Sequence, residues 1–286
     1  MEWTLTTALA VGLATGAIAG MPGSAQAQID YRNLDDDRPA LIEDAYPIER
    51  YAFEVLAPYR FEAEARGIDR HLVVPELEYG IAMNTQLGVK LTWAGIHDPQ
   101  HLDIVDPNGN FREVTNSRSG LAGLTVFGLY NFTTEGPILP ALSLRADVAF
   151  PVGELAGDNT RAAVKAIVTR SLGRNRIHIN IARGLGKETS LGEGEPLDRW
   201  TYGAAIDRTL FRQSVLLIGE VFAAQAVANA PTAVNASLGA RWQWRANTVL
   251  DFGVSRRLKE QPGPDLALTV GLSHAFAVPG LLPRGR

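Results

Sequence analysis

The sequence predicts an all-β protein, a transmembrane antiparallel up-and-down β-barrel of about 12 strands. Three observations carry this. From Tyr51 onward, apolar and polar side chains alternate with period two. Aromatic residues fall at the predicted strand ends and aliphatic ones at the centres. Tight connections alternate with mostly longer ones.

Successive side chains of a strand point to opposite sides, so alternation assigns faces directly. Tyr51, Phe53, Val55, Ala57, Tyr59 and Phe61 share one face of the first strand, with Glu54, Arg60 and Glu62 on the other. Leu87, Val89, Leu91 and Trp93 oppose Gly88, Lys90 and Thr92. Leu142, Leu144, Ala146, Val148 and Phe150 oppose Ser143, Arg145 and Asp147, and Ile177, Ile179 and Ile181 oppose Arg176, His178 and Asn180. Val234, Ala236, Leu238, Ala240, Trp242 and Trp244 oppose Asn235, Ser237, Arg241 and Arg245, and Leu266 to Phe276 repeats the scheme. Such segments are close to the roughly 9 to 11 residues that cross a bilayer when tilted.

Tight turns are expected near Asn84, Gly136-Pro137, Arg174-Asn175, Arg212-Gln213 and Ala246-Asn247. The longest connections run from His97 to Ser117 and from Gly184 to Asp198. Short periplasmic turns and longer outside loops put both ends of the barrel in the periplasm. Alternation also suits a soluble sandwich, so the aromatics discriminate. Trp93, Phe150 and Trp200 fall at outer strand ends, and Tyr51, Phe132, Phe211, Trp244 and Phe276 at inner ends. Two girdles around an aliphatic band are what water–lipid interfaces select, whereas a soluble core more often buries its aromatics at mid-strand.

The 286 residues are 46% hydrophobic and 20% charged, and no interior run reaches the about 18 apolar residues that a spanning helix needs. A net charge of -4 without a basic stripe gives no footprint for nucleic acid. The absence of cysteine excludes disulfides, thiolate metal sites and a cysteine nucleophile. Residues 1–27 read as a secretory signal peptide, with an apolar stretch from Leu5 to Ala19 and cleavage expected after Ala27, although Glu2 stands where a basic residue is usual. Residues 28–50 form an N-terminal segment with two placements, a periplasmic tail or an insertion into the lumen. Tail is the default; insertion gains weight because Leu41, Ile42, Ala45, Tyr46 and Ile48 would otherwise lie in water. The barrel is expected over residues 51–276 and a C-terminal tail over 277–286.

Ahead of the first strand the chain reads Arg38-Pro39-Ala40-Leu41-Ile42-Glu43-Asp44-Ala45-Tyr46-Pro47, followed by Tyr51-Ala52-Phe53-Glu54. This resembles the outer-membrane family named for the meta-pathway of phenol degradation, whose members commonly begin R-P-x-x-x-E-D-A before a strand carrying F-E. The resemblance implies an outer-membrane transporter or channel with a link to aromatic compounds, and it brings no catalytic residues. A tail after Phe276 departs from barrel chains that end at a terminal aromatic.

The lumen face places Glu76, Glu78, Lys90, Arg145, Lys165 and Glu220 near mid-depth, as candidates for a constriction. With a turn centred on Asn84, Glu78 falls opposite Lys90. Acids of the first two strands lie on one side and Arg145, Arg161, Lys165 and Arg176 across from them, so the charges either set a transverse field or pair and close the pore. His97, His101, Asp103 and Asp106 share a long loop and offer metal-type ligands, but a solvated loop is the simpler reading and no metal or other cofactor is expected. His178 is expected as a hydrogen-bonded lumen side chain and His274 near the periplasmic rim. No enzyme is expected: Ser273 and His274, being strand neighbours, face opposite sides, and no Gly-x-Ser-x-Gly elbow occurs. Gly184-Leu185-Gly186-Lys187-Glu188-Thr189 lacks the spacing of a phosphate loop.

The expected function is a channel or transporter of the Gram-negative outer membrane that passes small solutes, aromatic or hydrophobic ones among the candidates, through a polar lumen. The alternatives are a structural or assembly-associated barrel and, at greater distance, an outer-membrane hydrolase. Expected partners are outer-membrane lipids, a small-molecule solute and, during insertion, the barrel-assembly machinery.

Overall fold

A computed structural model describes residues 29–36, 38–64, 67–98, 101–105, 111–115, 117–186, 200–211, 214–225, 231–259 and 264–281. The signal-peptide reading of residues 1–27 lies outside them, as do the Arg212-Gln213 turn, most of the loop before Trp200, and residues 282–286.

The first crossing of the wall is made by β1 (Ala52–Leu56) and β2 (Tyr59–Ala63), and the second by β3 (Asp69–Val73) and β4 (Glu76–Ala82). Each is divided at a proline, Pro58 or Pro75, which has no N–H to give to the ladder. The breaks are bridged by Val74 N–H donating to the Pro58 carbonyl at 3.2 Å and Leu91 N–H to the Pro75 carbonyl at 3.0 Å. Next come β5 (Thr85–His97), then β6 (His101–Val105) and β7 (Phe111–Thr115) within the long loop, then β8 (Arg118–Thr133). The wall continues with β9 (Ala141–Phe150), β10 (Arg161–Leu172), β11 (Asn175–Leu185), β12 (Trp200–Leu210) and β13 (Val215–Gln225). It ends with β14 (Ala233–Arg245), β15 (Thr248–Arg257) and β16 (Leu266–Ala277).

Every pairing is antiparallel, and β16 pairs with both halves of the first crossing, so the sheet closes. With β1–β2 and β3–β4 each counted as one crossing and the β6–β7 hairpin standing apart, the wall is a closed barrel of twelve strands. Closure leaves no edge with unpaired backbone groups, as a strand wall in lipid requires. The first strand begins at Ala52, because Tyr51 adopts a φ of 66° in the preceding turn, and the last extends to Ala277.

Side chains alternate across the wall as the sequence indicates. Leu144, Ile179 and Leu238 are 40%, 45% and 68% exposed on the outer face, whereas Ser143 and Ser237 are buried inside. Phe150 and Trp200 stand exposed at outer strand ends, and Phe132, Phe211 and Trp244 at inner ends. Phe53 stacks on Tyr79 at 4.4 Å and on Phe276 at 5.4 Å, extending the inner girdle across β16, β1 and β4. An outer face this apolar is stable only against lipid, so the barrel belongs in the outer membrane.

Candidate functional site

Residues 29–36 and 38–50 lie inside the barrel, so of the two placements open from sequence the structure shows the lumen rather than the default tail. The reason is burial: Ile29, Leu34, Ala40, Ile42, Ala45 and Ile48 would be wet in a tail and are 0–6% exposed here. The segment starts beside the turn after β14, where Ile29 N–H donates to the Ala246 carbonyl at 3.1 Å, reaches mid-depth around Asp35 to Glu43, and returns to that same end. There Ile48 N–H donates to Gln86 at 2.9 Å. Four wall glycines, Gly80, Gly203, Gly239 and Gly253, make its path. At Gly239 a Cβ would approach Pro39 Cγ at 2.7 Å, and at Gly253 it would collide with the Pro39 carbonyl.

The segment has no sheet of its own, so its backbone groups need wall side chains. Leu41 N–H and Ile42 N–H both donate to the Glu220 carboxylate, at 2.9 Å to Oε2 in each case. Glu43 N–H donates to Asn180 Oδ1 and Asn180 Nδ2 returns a bond to the Glu43 carbonyl, both at 2.8 Å. Ala45 N–H donates to Thr169 at 2.9 Å, and the Ala45 carbonyl accepts from Asn131 at 2.8 Å and from Ser143. Polar inward positions that would otherwise hold water thus replace the ladder that the segment lacks.

Charges form a second layer of contacts. Glu43 accepts from Arg145 Nη1 at 2.9 Å and from Lys165 Nζ at 3.1 Å. Asp36 lies 2.9 Å from Lys165, 3.3 Å from Lys90 and 3.8 Å from Arg145. Arg145 also binds Asp147 at 2.9 Å and stacks over the Phe127 ring at 3.7 Å, which fixes its guanidinium plane. Asp44 pairs with Arg176 at 3.0 Å, and Arg176 and His178 share Asp207 at 2.6 and 3.0 Å. Asp35 lies 3.2 Å from Arg38 and 3.5 Å from Arg241, which itself binds Asp251 at 2.8 Å.

All six lumen residues named from sequence, Glu76, Glu78, Lys90, Arg145, Lys165 and Glu220, point into the barrel. The structure brings Lys90, Arg145 and Lys165 together around Asp36, whereas Glu220 sits apart as a carboxylate for backbone donors. The expected facing of Glu78 and Lys90 is corrected: Glu76 faces Lys90, at 3.8 Å, and Glu78 faces Gly88 and, on the other side, Glu54. The turn is centred between Met83 and Asn84 rather than on Asn84, which moves the register by one residue, and an irregularity between Gly80 and Ala82 moves it by one more. The wall charges are met largely by segment charges rather than by each other across the lumen. His178 is fully buried between Thr169 and Asp207, and His274 bonds Thr248 near the inner end of β15. Ser273 faces inward to Arg38, on the opposite side from His274. Of the loop histidines and aspartates considered for metal, Asp106 and the side chains of His101 and Asp103 lie outside the described residues, and His97 contacts Ser117 at 3.1 Å.

Sequence reasoning did not single out Arg38, Asp35, Asp36, Glu43 and Asp44 as lumen residues, nor Asp207 and Asp251 as their wall partners; Asn180 and Arg241 it put on the polar face without a role. The signal present was the set of apolar side chains in the segment itself, Leu41, Ile42, Ala45 and Ile48 among them, which a periplasmic tail would leave in water.

No protein-family model matches the chain, and no curated protein matches it. Solved structures do. The COG4313 outer membrane channel from Pseudomonas putida F1 aligns with a TM-score of 0.56 at 13% identity, over 82% of this chain and 98% of that one. The KdgM porin aligns at 0.48 and 13%, over 78% and 99%, and the NanC porin at 0.49 and 7%, over 78% and 98%. The chain has the fold of an outer-membrane barrel. At these identities the likeness speaks for the architecture.

Proposed function

We propose that the protein is an outer-membrane channel or transporter for small solutes, closed at rest by residues 29–50 and opened when that segment leaves its seat. One observation carries the reading: beside the apolar contact of Ile29, Leu34 and Ile42 with Leu216, Ile218, Phe222 and Val249, the seat at mid-depth is polar and charged. A permanent stopper is most cheaply built from apolar packing, since ion pairs withdrawn from water gain little over hydrophobic replacements. Here the segment is held, in addition to its apolar contacts, by carboxylates, amides, hydroxyls and a guanidinium of the wall, contacts that water or a polar solute can replace. The resemblance of the Arg38 to Pro47 block to the phenol meta-pathway family supports small aromatic compounds as candidate cargo.

The filled lumen also favours a second reading, a structural barrel without transport. Single-channel conductance of the refolded protein in planar bilayers separates them, compared between the wild type and Gly253→Val, whose side chain cannot coexist with Pro39 as seated. Openings that become longer or more frequent in the variant are expected. Silence in both, with the barrel folded, would refute the channel.

A further inference from the structure

The wall places two cations where strand chemistry disfavours them. Lys165 of β10 and Arg145 of β9 are direct cross-strand partners, both facing inward, and like charges directly opposed destabilise a sheet. Lys90 of β5 joins them around Asp36. The three side chains are 1–12% exposed, so water does little to screen them. Four carboxylates sit against the cluster: Glu76 and Asp147 belong to the wall, and Asp36 and Glu43, which meet the Lys165–Arg145 pair together, belong to the segment.

The remaining segment–wall ion pairs differ. Arg176 keeps Asp207 of β12, and Arg241 keeps Asp251 of β15, whether or not the segment is present. Lys90 keeps Glu76, and Arg145 keeps Asp147. Both carboxylates that Lys165 touches, Asp36 and Glu43, are the segment's own. When the segment leaves, Lys165 loses both of these carboxylates while Arg145 keeps Asp147, and a neutral solute in their place would offer the Lys165–Arg145 pair no anion.

We propose that Lys165, Arg145 and Lys90 form the binding site for a small organic carboxylate, and that Asp36 and Glu43 occupy it as stand-ins for that solute. This rests on the channel reading and names its solute class. Lys165 and Arg145 each bridge Asp36 and Glu43, so the site spans two carboxylate positions and takes a dicarboxylate or a monocarboxylate. The guanidinium is held in place beforehand by Asp147 and the Phe127 ring, so little ordering is left for binding. Asp36 is the exposed member, with 24% of its side chain open against 5% for Glu43. A solute carboxylate therefore displaces Asp36 first and Glu43 after it, and binding and release of the segment become one exchange.

The test uses the full-length protein with benzoate as the anion and benzyl alcohol as its neutral counterpart. Equilibrium dialysis against folded protein reads binding, and proteoliposome uptake reads passage. Benzoate is expected to bind and benzyl alcohol not. Lys165→Met should weaken benzoate binding roughly tenfold or more, the order of one lost charge-assisted contact, and lower the benzoate-to-benzyl alcohol uptake ratio. Lys165→Arg should restore both. Asp36→Asn/Glu43→Gln should tighten benzoate binding, because the resident competitor is weakened, and this arm stands even where Lys165→Met fails to fold. Equal binding of both probes, or benzoate binding insensitive to all three variants, overturns the site while leaving the channel intact. Benzoate binding with no passage of either probe supports the site and overturns the channel reading instead.

Discussion

Glu43→Ala tests how firmly the segment is seated. The Glu43 carboxylate is 5% exposed and touches two wall cations, Arg145 at 2.9 Å and Lys165 at 3.1 Å. Removing one member of a buried, hydrogen-bonded ion pair costs about 3–5 kcal/mol, chiefly because the other charge is left buried. The cost is lower here, about 2–3 kcal/mol, because Arg145 keeps Asp147 and Lys165 keeps Asp36, a partly wet partner. At 1.4 kcal/mol per factor of ten, the ratio of unseated to seated segment rises roughly 30- to 150-fold. Limited proteolysis reads that ratio directly when the segment reseats faster than it is cut, since the cleavage rate then follows the open population. Gel mobility with and without heating checks that the barrel is intact. A cleavage rate changed less than about threefold, in a variant that keeps its folded mobility, would refute the reasoning, because a contact worth only a few tenths of a kcal/mol cannot hold the segment.

Other consequences follow from the same geometry. Leu238→Arg, on the lipid face near mid-depth, should destabilise the refolded barrel by roughly 2–4 kcal/mol in a urea titration, whereas Ser237→Arg should spare the wall and raise the protease sensitivity of residues 29–50. Equal losses of barrel stability would reverse the inside–outside assignment. Gly253→Val should speed cleavage of the segment by at least the factor seen for Glu43→Ala, and an unchanged rate would show that Pro39 does not approach β15. At the turn after β8, burial pushes Glu135 up, but the Ser171 hydrogen bonds and the Arg170 guanidinium hold it below the usual carboxylate value, and it also accepts from Tyr46 of the segment at 3.3 Å. A lowered folded pKa stabilises above the unfolded value and is lost as pH falls through the folded one. Acidification through and below the usual carboxylate range should therefore loosen the segment near Tyr46, followed by hydrogen exchange of residues 44–48. Glu135→Gln should remove that pH dependence, and its persistence in the variant would assign it to another group.

The fold was legible almost throughout, and particular residues show why. Leu144 beside Ser143 and Leu238 beside Ser237 declare their faces through chemistry alone, and the turns near Asn84, Arg174 and Ala246-Asn247 follow from where alternation breaks. The candidate site was half legible. Lys90, Arg145, Lys165 and Glu220 were identifiable as inward charges, because parity along a strand is local. Their partners were not, because nothing in the wall sequence says what fills the lumen.

Period two is a property of neighbouring residues, so strands, faces, the lipid-facing band and the presence of a charged lumen could be read from the chain itself. Register and lumen filling depend on residues far apart. A turn centred between Met83 and Asn84 and an irregularity between Gly80 and Ala82 together moved the partner of Lys90 from Glu78 to Glu76, a change that no alternation pattern records. Residues 29–50 carry little strand or helix signal, because many of their backbone hydrogen bonds go to wall side chains distant in sequence, 38 positions away between Ile48 and Gln86 and 179 between Leu41 and Glu220. Only the closed barrel, by bringing those side chains around one narrow space, makes the lumen the place where this segment is satisfied.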